Sequence, residues 1–368
     1  MKDQRVERLA DIIVDYSTEV KEGDLVFIRS SYLAEPLIAA IYQRVLERGA
    51  DPYLRTSIPA LEPLFYRYAK DKQLEFVPES ERWIWDHCDV NIYITAESNT
   101  RALSKIDPDR MAVNRRARRD IIDSFFNRAA AGEVRWNLTL FPTEALAMDA
   151  QMSLAEYEDF FYAACWLDRD DPVAEWRQEA ERQQRLIDWI SPRTEVHIEG
   201  EGTDLYLYTE GRTWELSEGK ENLPDGEIFT GPVETRTHGH VSFSYPAIYA
   251  GVGVEGARLE FEEGRVVNAT ARQNEDYLIK TLDTDKGART LGEFGIGTNY
   301  GISEFSGEIL LDEKIGGTIH LALGASYPET GGLNESAIHW DMVCDLRKGG
   351  RITVDGDLFM EDGRFVIP

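Results

Sequence analysis

The apolar pattern of the chain changes near residue 190, and this change limits the folds that the sequence can adopt. Upstream of it, helical and strand-like segments alternate. Residues 5–20 and 35–48 place apolar side chains at helical spacing, and residues 24–29 are typical of a buried strand. Further strand-like segments lie at residues 51–56, 90–95 and 134–140. This alternation predicts right-handed parallel crossovers and therefore an open α/β sheet.

After Pro192 the segments become short, strand-like and separated by glycine turns. Most of the 29 glycines of the chain lie in this half. At 368 residues the chain is also longer than one ordinary hydrophobic core supports. We therefore predict two domains. Residues 1–190 form an α/β N-terminal domain with an open, mostly parallel sheet, and residues 191–368 form a mainly β (α+β) metal-binding catalytic domain.

The charge of the chain indicates which partners to expect. Its formal net charge is −27, with 67 acidic and 40 basic residues, so the phosphates of a nucleic acid would be repelled. No apolar run approaches the length of a membrane span, and the first residues are charged rather than typical of a signal peptide. We expect a cytoplasmic protein that binds neither nucleic acid nor membrane.

Five residues of the second half have side chains that commonly bind metals: Glu227, Glu293, His320, His339 and Asp341. If residues 336–341 form a strand, His339 and Asp341 lie two positions apart and point to the same face. Two imidazoles and three carboxylates suit one or two ions of zinc, cobalt or manganese better than calcium or copper. A lone His-x-Asp pair is more often an ion pair, so the metal hypothesis depends on the whole set.

The segments that contain these residues resemble the aminopeptidase T/aminopeptidase S family of metallo-aminopeptidases. The similar segments are residues 134–150, 152–160, 222–232, 290–297, 318–327 and 336–341, so the resemblance covers nearly the whole chain. It implies an α/β domain followed by a metal-bearing domain, in a homodimer. It also implies two divalent metal ions at the five residues named above, with Tyr327 as the active-site tyrosine.

Peptide hydrolysis is compatible with the chemistry of these residues. Two cations about 3.5–4 Å apart can share one water and lower its pKa toward neutrality. Asp341 or Glu227 could bridge the cations, and Glu293 could carry a proton from water to the leaving amine. Tyr327 could donate a hydrogen bond to the tetrahedral oxyanion. The prediction is a metal-dependent aminopeptidase acting on small peptides, although spacing does not separate ligand from base for Glu227 and Glu293.

Two other functions remain open from the sequence. His320, His339 and Asp341 could form the two-histidine, one-carboxylate triad of a mononuclear iron(II) ring-cleaving dioxygenase related to 2,5-dihydroxypyridine dioxygenase. Glu227 and Glu293 favour the peptidase, since a single iron does not need two more carboxylates. A non-catalytic, metal-stabilised binding protein is the third hypothesis, and it predicts bound metal without turnover.

Overall fold

The computed structural model describes residues 3–367, and the chain divides into two compact units. The first unit comprises residues 1–173 together with 219–224, and the second comprises residues 174–218 and 225–368. The two units therefore meet in the sequence at the start of the long helix Pro172–Ile190, whereas the boundary predicted near residue 190 lies at the end of that helix. The boundary between independently folding domains stays a prediction.

The α-helices are, in chain order, α1 (Gln4–Asp11), α2 (Glu35–Glu47), α3 (Leu61–Tyr68), α4 (Asp71–Leu74), α5 (Glu79–His87), α6 (Pro108–Ala117), α7 (Arg119–Ala130), α8 (Glu144–Asp149), α9 (Leu154–Ala164), α10 (Pro172–Ile190), α11 (Glu275–Leu282) and α12 (Ile309–Asp312). A π-helical segment, Ile12–Ser17, continues α1. Among residues 3–367, no helix combines the length and apolar character needed to cross a bilayer.

The strands are, in chain order, β1 (Leu25–Ser31), β2 (Asp51–Ser57), β3 (Val90–Thr95), β4 (Arg135–Leu140), β5 (Glu195–Gly200), β6 (Thr203–Tyr208), β7 (Glu215–Ser217), β8 (Asn222–Leu223), β9 (Glu227–Thr230), β10 (His238–Ser242), β11 (Ala247–Tyr249), β12 (Val252–Val254), β13 (Arg258–Glu262), β14 (Arg265–Thr270), β15 (Leu291–Gly297), β16 (Thr318–Gly324), β17 (His339–Asp345), β18 (Arg351–Val354), β19 (Asp357–Glu361) and β20 (Arg364–Phe365).

The first unit contains a five-stranded parallel sheet in the order β2-β1-β3-β4-β8. Helices connect β1, β2, β3 and β4, as the alternating pattern predicted. Strand β1 lies inside the sheet, between β2 and β3, and its successive residues Phe27 and Ile28, which point to opposite faces, are both fully buried. The prediction of an open α/β sheet is confirmed.

The second unit contains two larger antiparallel sheets. One has eight strands in the order β14-β13-β10-β6-β5-β18-β19-β20, and the other has five in the order β17-β16-β15-β9-β7. Apolar side chains from both sheets, including Ile198, Leu205, Phe294 and Leu321, belong to one hydrophobic core. The prediction of a mainly β second half is confirmed.

The five-stranded sheet has glycine where a side chain would not fit. Gly295 of β15 pairs with His320 of β16, and a Cβ on Gly295 would overlap the His320 imidazole. The imidazole therefore lies across the neighbouring strand because residue 295 has no side chain. Replacing this glycine must move either the ring or the strand.

We expect Gly295→Ala to destabilise the metal-free protein by about 1–3 kcal/mol, because the added methyl overpacks a buried site. Urea unfolding followed by circular dichroism measures this. Gly253→Ala is the matched control, since its Cβ would meet Ile248 only at an ordinary contact distance of 3.9 Å. Equal midpoints for Gly295→Ala and the wild type would contradict the packing described here.

Candidate metal centre

The register of three neighbouring strands aligns candidate ligands in a row. Glu293 of β15 pairs with Ala322 of β16, and Ala322 pairs with Asp341 of β17. Residues that pair directly across strands share one face of the sheet. His320 lies two positions before Ala322, and His339 lies two positions before Asp341, so both imidazoles emerge on that same face.

Glu227 completes the set of five predicted residues. It begins β9 and pairs with Gly297, which lies two positions beyond Gly295 in β15. The same alternation therefore puts Glu227 on the face that carries Glu293. Glu227, Glu293 and His320 are all buried, with side-chain exposures of 7%, 5% and 1%. The five predicted residues thus come together on one face of one sheet.

The distances show a contiguous network with Glu293 at its centre. His320 Nε2 lies 3.3 Å from Glu227 Oε2 and 3.4 Å from Glu293 Oε1. His339 Nε2 lies 3.1 Å from Glu293 Oε2 and 3.5 Å from Asp341 Oδ1. Each oxygen of Glu293 therefore faces a different imidazole.

Both imidazoles are held in the orientation that suits a metal ligand. His320 Nδ1 lies 3.0 Å from the carbonyl oxygen of Glu313, and His339 Nδ1 lies 2.9 Å from that of Ala325. A carbonyl oxygen only accepts hydrogen bonds, so Nδ1 carries the proton in each ring. Nε2 is then directed at the carboxylates, which is the backbone-anchored arrangement common among metal-binding histidines.

In the part of the chain that the structure describes, three overlapping groups of side chains have ligand atoms within 4.8 Å of one another. We name the first two after their histidines. The His339 group is Glu293, His339 and Asp341, and the His320 group is Glu227, Glu293 and His320. A third group joins Glu313 to His320 and Asp341. Glu293 and Asp341 each belong to two groups, so the geometry suits either as a bridge, whereas Glu227 belongs to one.

Glu313 and Lys314 were missed by sequence reasoning. They follow the short helix α12 and precede β16, in the run Leu310-Leu311-Asp312-Glu313-Lys314. The signal available in the sequence was weak, because charged residues after an apolar turn are usually exposed. Lys314 is nevertheless fully buried, and its ammonium forms ion pairs with Asp225, Glu227 and Glu313.

The carboxylates of the site raise the pKa of both imidazoles. Burial opposes a charge on His320, but Glu227 and Glu293 outweigh it and raise its pKa to about 10. Burial likewise opposes a charge on His339, but Asp341 and Glu293 raise its pKa to about 12. At neutral pH, when no metal is bound, both rings are therefore positively charged, with a proton on Nε2 as well as on Nδ1.

The carboxyl groups respond to the same network in opposite directions. Burial alone would raise the pKa of Glu293, but its hydrogen bonds with His320 and His339 lower it below the usual value. Burial raises the pKa of Glu227, although Lys314 and His320 partly offset the effect. A divalent cation would replace the protons on Nε2 of the two imidazoles and would bind the same carboxylates. Metal binding should therefore release protons.

Two buried oxygens support the fit to a metal. Within residues 3–367, Glu227 Oε2 and Asp341 Oδ1 are buried and accept no well-aligned hydrogen bond, and their contacts with imidazole Nε2 atoms are long, at 3.3 and 3.5 Å. A buried carboxylate oxygen without a partner is costly unless a cation satisfies it. Imidazole nitrogen and carboxylate oxygen together are the donor set of zinc and related ions. The residues present therefore fit divalent metal binding.

Tyr327 lies at the edge of this cluster, in the loop after β16. Its ring centroid is 5.0 Å from that of His339 and 5.7 Å from that of Phe229. The residue as a whole is 40% exposed. Burial, followed by the charge of Glu293, holds the pKa of the phenol well above its usual value, so it remains an O–H donor.

Comparison with known proteins identifies the family. The model of the thermophilic metalloprotease family M29 matches residues 2–365. The chain is 26% identical to Aminopeptidase 2 of Geobacillus stearothermophilus, over 96% of this chain and 95% of that protein. It is 25% identical to Aminopeptidase T of Thermus aquaticus, over 98% and 96% of the two chains.

Solved structures support the fold. Wild-type AmpT from Thermus thermophilus aligns with a TM-score of 0.87 and 22% identity over 99% of both chains. The 2,5-dihydroxypyridine dioxygenase from Pseudomonas putida KT2440 aligns with a TM-score of 0.55 and 14% identity, over 99% of this chain and 97% of that one. At these identities the likeness concerns the fold alone. The family match over nearly the whole sequence goes further and confirms the predicted family and its hydrolase class: the chain belongs to the M29 family of thermophilic metalloproteases.

Proposed function

We propose that this protein is a metal-dependent aminopeptidase that hydrolyses N-terminal residues from small peptides. The observation that carries the proposal is the buried face on which two overlapping ligand groups share Glu293. Relatives that align over nearly the whole chain are named aminopeptidases, which supports the same reaction. A cluster of buried carboxylates would also attract the free ammonium group that distinguishes a peptide N-terminus.

In this proposal the ligands of two divalent ions of zinc, cobalt or manganese are Glu227, Glu293, His320, His339 and Asp341. The third group suggests Glu313 as an additional ligand. Bound ions of this kind polarise a carbonyl group and make water a stronger acid. The chain itself supplies oriented Nε2 atoms and carboxylates anchored on paired strands, so little rearrangement is needed for binding.

Glu293 and Tyr327 would move and hold protons during the reaction. Glu293 lies between the two imidazoles, where its carboxylate could accept a proton from water and return it to the leaving amine. Tyr327 remains a neutral donor beside His339, and its hydroxyl could hydrogen-bond the oxygen that becomes negative at the attacked carbon.

The iron dioxygenase alternative is less well supported. His320, His339 and Asp341 do lie on the same face, and the fold also resembles a dihydroxypyridine dioxygenase. However, Glu227, Glu293 and Glu313 add three carboxylates that a single iron would not use, and the structural likeness to AmpT is greater. The hypothesis of a non-catalytic binding protein predicts metal without turnover, so the same assay tests it.

We also propose a cytoplasmic homodimer, as the family resemblance implied. Exposed apolar side chains on α3 of the first unit, including Leu61, Leu64 and Tyr68, are consistent with a covered surface. Light scattering after gel filtration should give twice the mass of one chain at micromolar concentration. A mass of one chain across the accessible range would refute the dimer without affecting the proposed chemistry.

The activity is tested with chelator-stripped protein, to which zinc, cobalt, manganese or iron(II) is added back. We expect metal-restored release of p-nitroaniline from leucine p-nitroanilide, and of the first residue from a tripeptide. An acetylated tripeptide is the control, because it lacks the free amine. No release with any metal, together with oxygen consumption in the presence of iron(II) and a dihydroxypyridine, would favour the dioxygenase instead.

Glu293→Gln should lower turnover by about 10²–10⁴-fold, because an amide cannot accept the proton. Hydrolysis of the tripeptide is measured together with metal content, so that loss of a ligand is distinguished from loss of a base. Glu335→Gln, at an exposed position of the same unit, serves as the matched control. Turnover close to that of the wild type would remove Glu293 from the mechanism.

A further inference from the structure

Lys314 is a buried cation at the edge of the candidate metal centre. Its side chain is 0% exposed, and its Nζ lies 3.5 Å from Glu227 Oε1 and 3.9 Å from Asp225 Oδ1. A closer contact joins it to Glu313. Burying an ammonium group is unfavourable unless carboxylates surround it, as they do here. The positive charge is therefore a fixed part of this region.

Among the described residues, the carboxylates that pair with Lys314 include candidate ligands that lie next to His320, but none that lies next to His339. Glu227 belongs to the His320 group, and Glu313 belongs to the third group, which also contains His320. Within residues 3–367, the ion pairs of Lys314 are with Asp225, Glu227 and Glu313, and none involves a member of the His339 group. The ammonium thus neutralises ligands on the His320 side only.

The backbone leaves the lysine little freedom to withdraw. The amide of Lys314 donates to the Leu311 carbonyl, and its own carbonyl accepts from the Asn299 amide at 3.1 Å. Gly297 of β15 lies against the 314–315 backbone so closely that a Cβ would overlap it. Gly297 also pairs with Glu227, so one residue of β15 contacts the backbone of both the lysine and this glutamate.

We propose that Lys314 makes the two metal positions unequal, so that a divalent cation binds tightly at the His339 group and much more weakly at the His320 group. The inference rests on the proposed two-ion site and adds to it an order of occupation. An ion at the His320 group would have to share Glu227 with a fixed positive charge and would be repelled by it. An ion at the His339 group meets no such competitor within a direct contact.

Zinc binding to the full-length, chelator-stripped protein tests this without measuring activity. Equilibrium dialysis against buffered zinc, followed by metal analysis, should show two steps separated by about 100-fold or more in free zinc. Lys314→Met should move the second step to lower free zinc by about 100-fold and leave the first nearly unchanged. Lys280→Met, at an exposed position on α11, should behave as the wild type.

A second variant keeps the test informative if Lys314→Met does not fold. Asp225→Asn combined with Lys314→Met removes one charge of each sign, so the net charge of the buried cluster is unchanged, and the second step should shift in the same direction. Two equal zinc steps in the wild type, or an unshifted second step in the folded variants, would overturn the inference alone. A wild-type protein that binds no zinc, cobalt or manganese would overturn the proposed function as well.

Discussion

The antiparallel register of β15, β16 and β17 is the constraint on which the candidate site depends. Pairing of Glu293 with Ala322, and of Ala322 with Asp341, fixes which side chains share a face. A slip of one residue would turn the acidic and imidazole side chains into the hydrophobic core and the apolar ones onto the site. Gly295 leaves room beside this row for the His320 imidazole, so the packing of this candidate ligand requires a glycine in the neighbouring strand.

Concentrating carboxylates on a buried face has an electrostatic cost that the fold must offset. In the metal-free protein, protons on His320 and His339 and the ammonium of Lys314 provide the positive charge. Divalent ions can take over the part supplied by the imidazole protons, whereas the lysine stays in place. This difference between exchangeable and permanent positive charge is what makes the two halves of the site unequal.

Much of this site could be predicted from sequence because two signals are local. The spacing of two between His339 and Asp341 is the period of a strand, and both residues lie in β17. The glycines before Glu227 and Glu293 mark close backbone contacts, with Asn299 and with Ala325. Glu313 and Lys314 had no such signal: Lys314 is buried, and Glu313 half-buried, through long-range contacts that single-sequence patterns do not report. One of these is the contact of the 314–315 backbone with Gly297 of β15. The sequence also did not indicate the division between the two units at the start of α10. The apolar residues of a helix keep the same helical spacing along its whole length, so nothing in that spacing marks a boundary at its first turn.

The most direct test of the account is where metal binds. Crystals of the zinc-loaded protein, measured at the zinc absorption edge, should give an anomalous peak about 2.0–2.1 Å from His339 Nε2, with carboxylate oxygens of Glu293 and Asp341 around it. At higher zinc, a second peak should appear beside His320. Zinc bound elsewhere, with the imidazoles still hydrogen-bonded to the carboxylates as in the metal-free protein, would contradict the central claim that this face of the sheet is a metal centre.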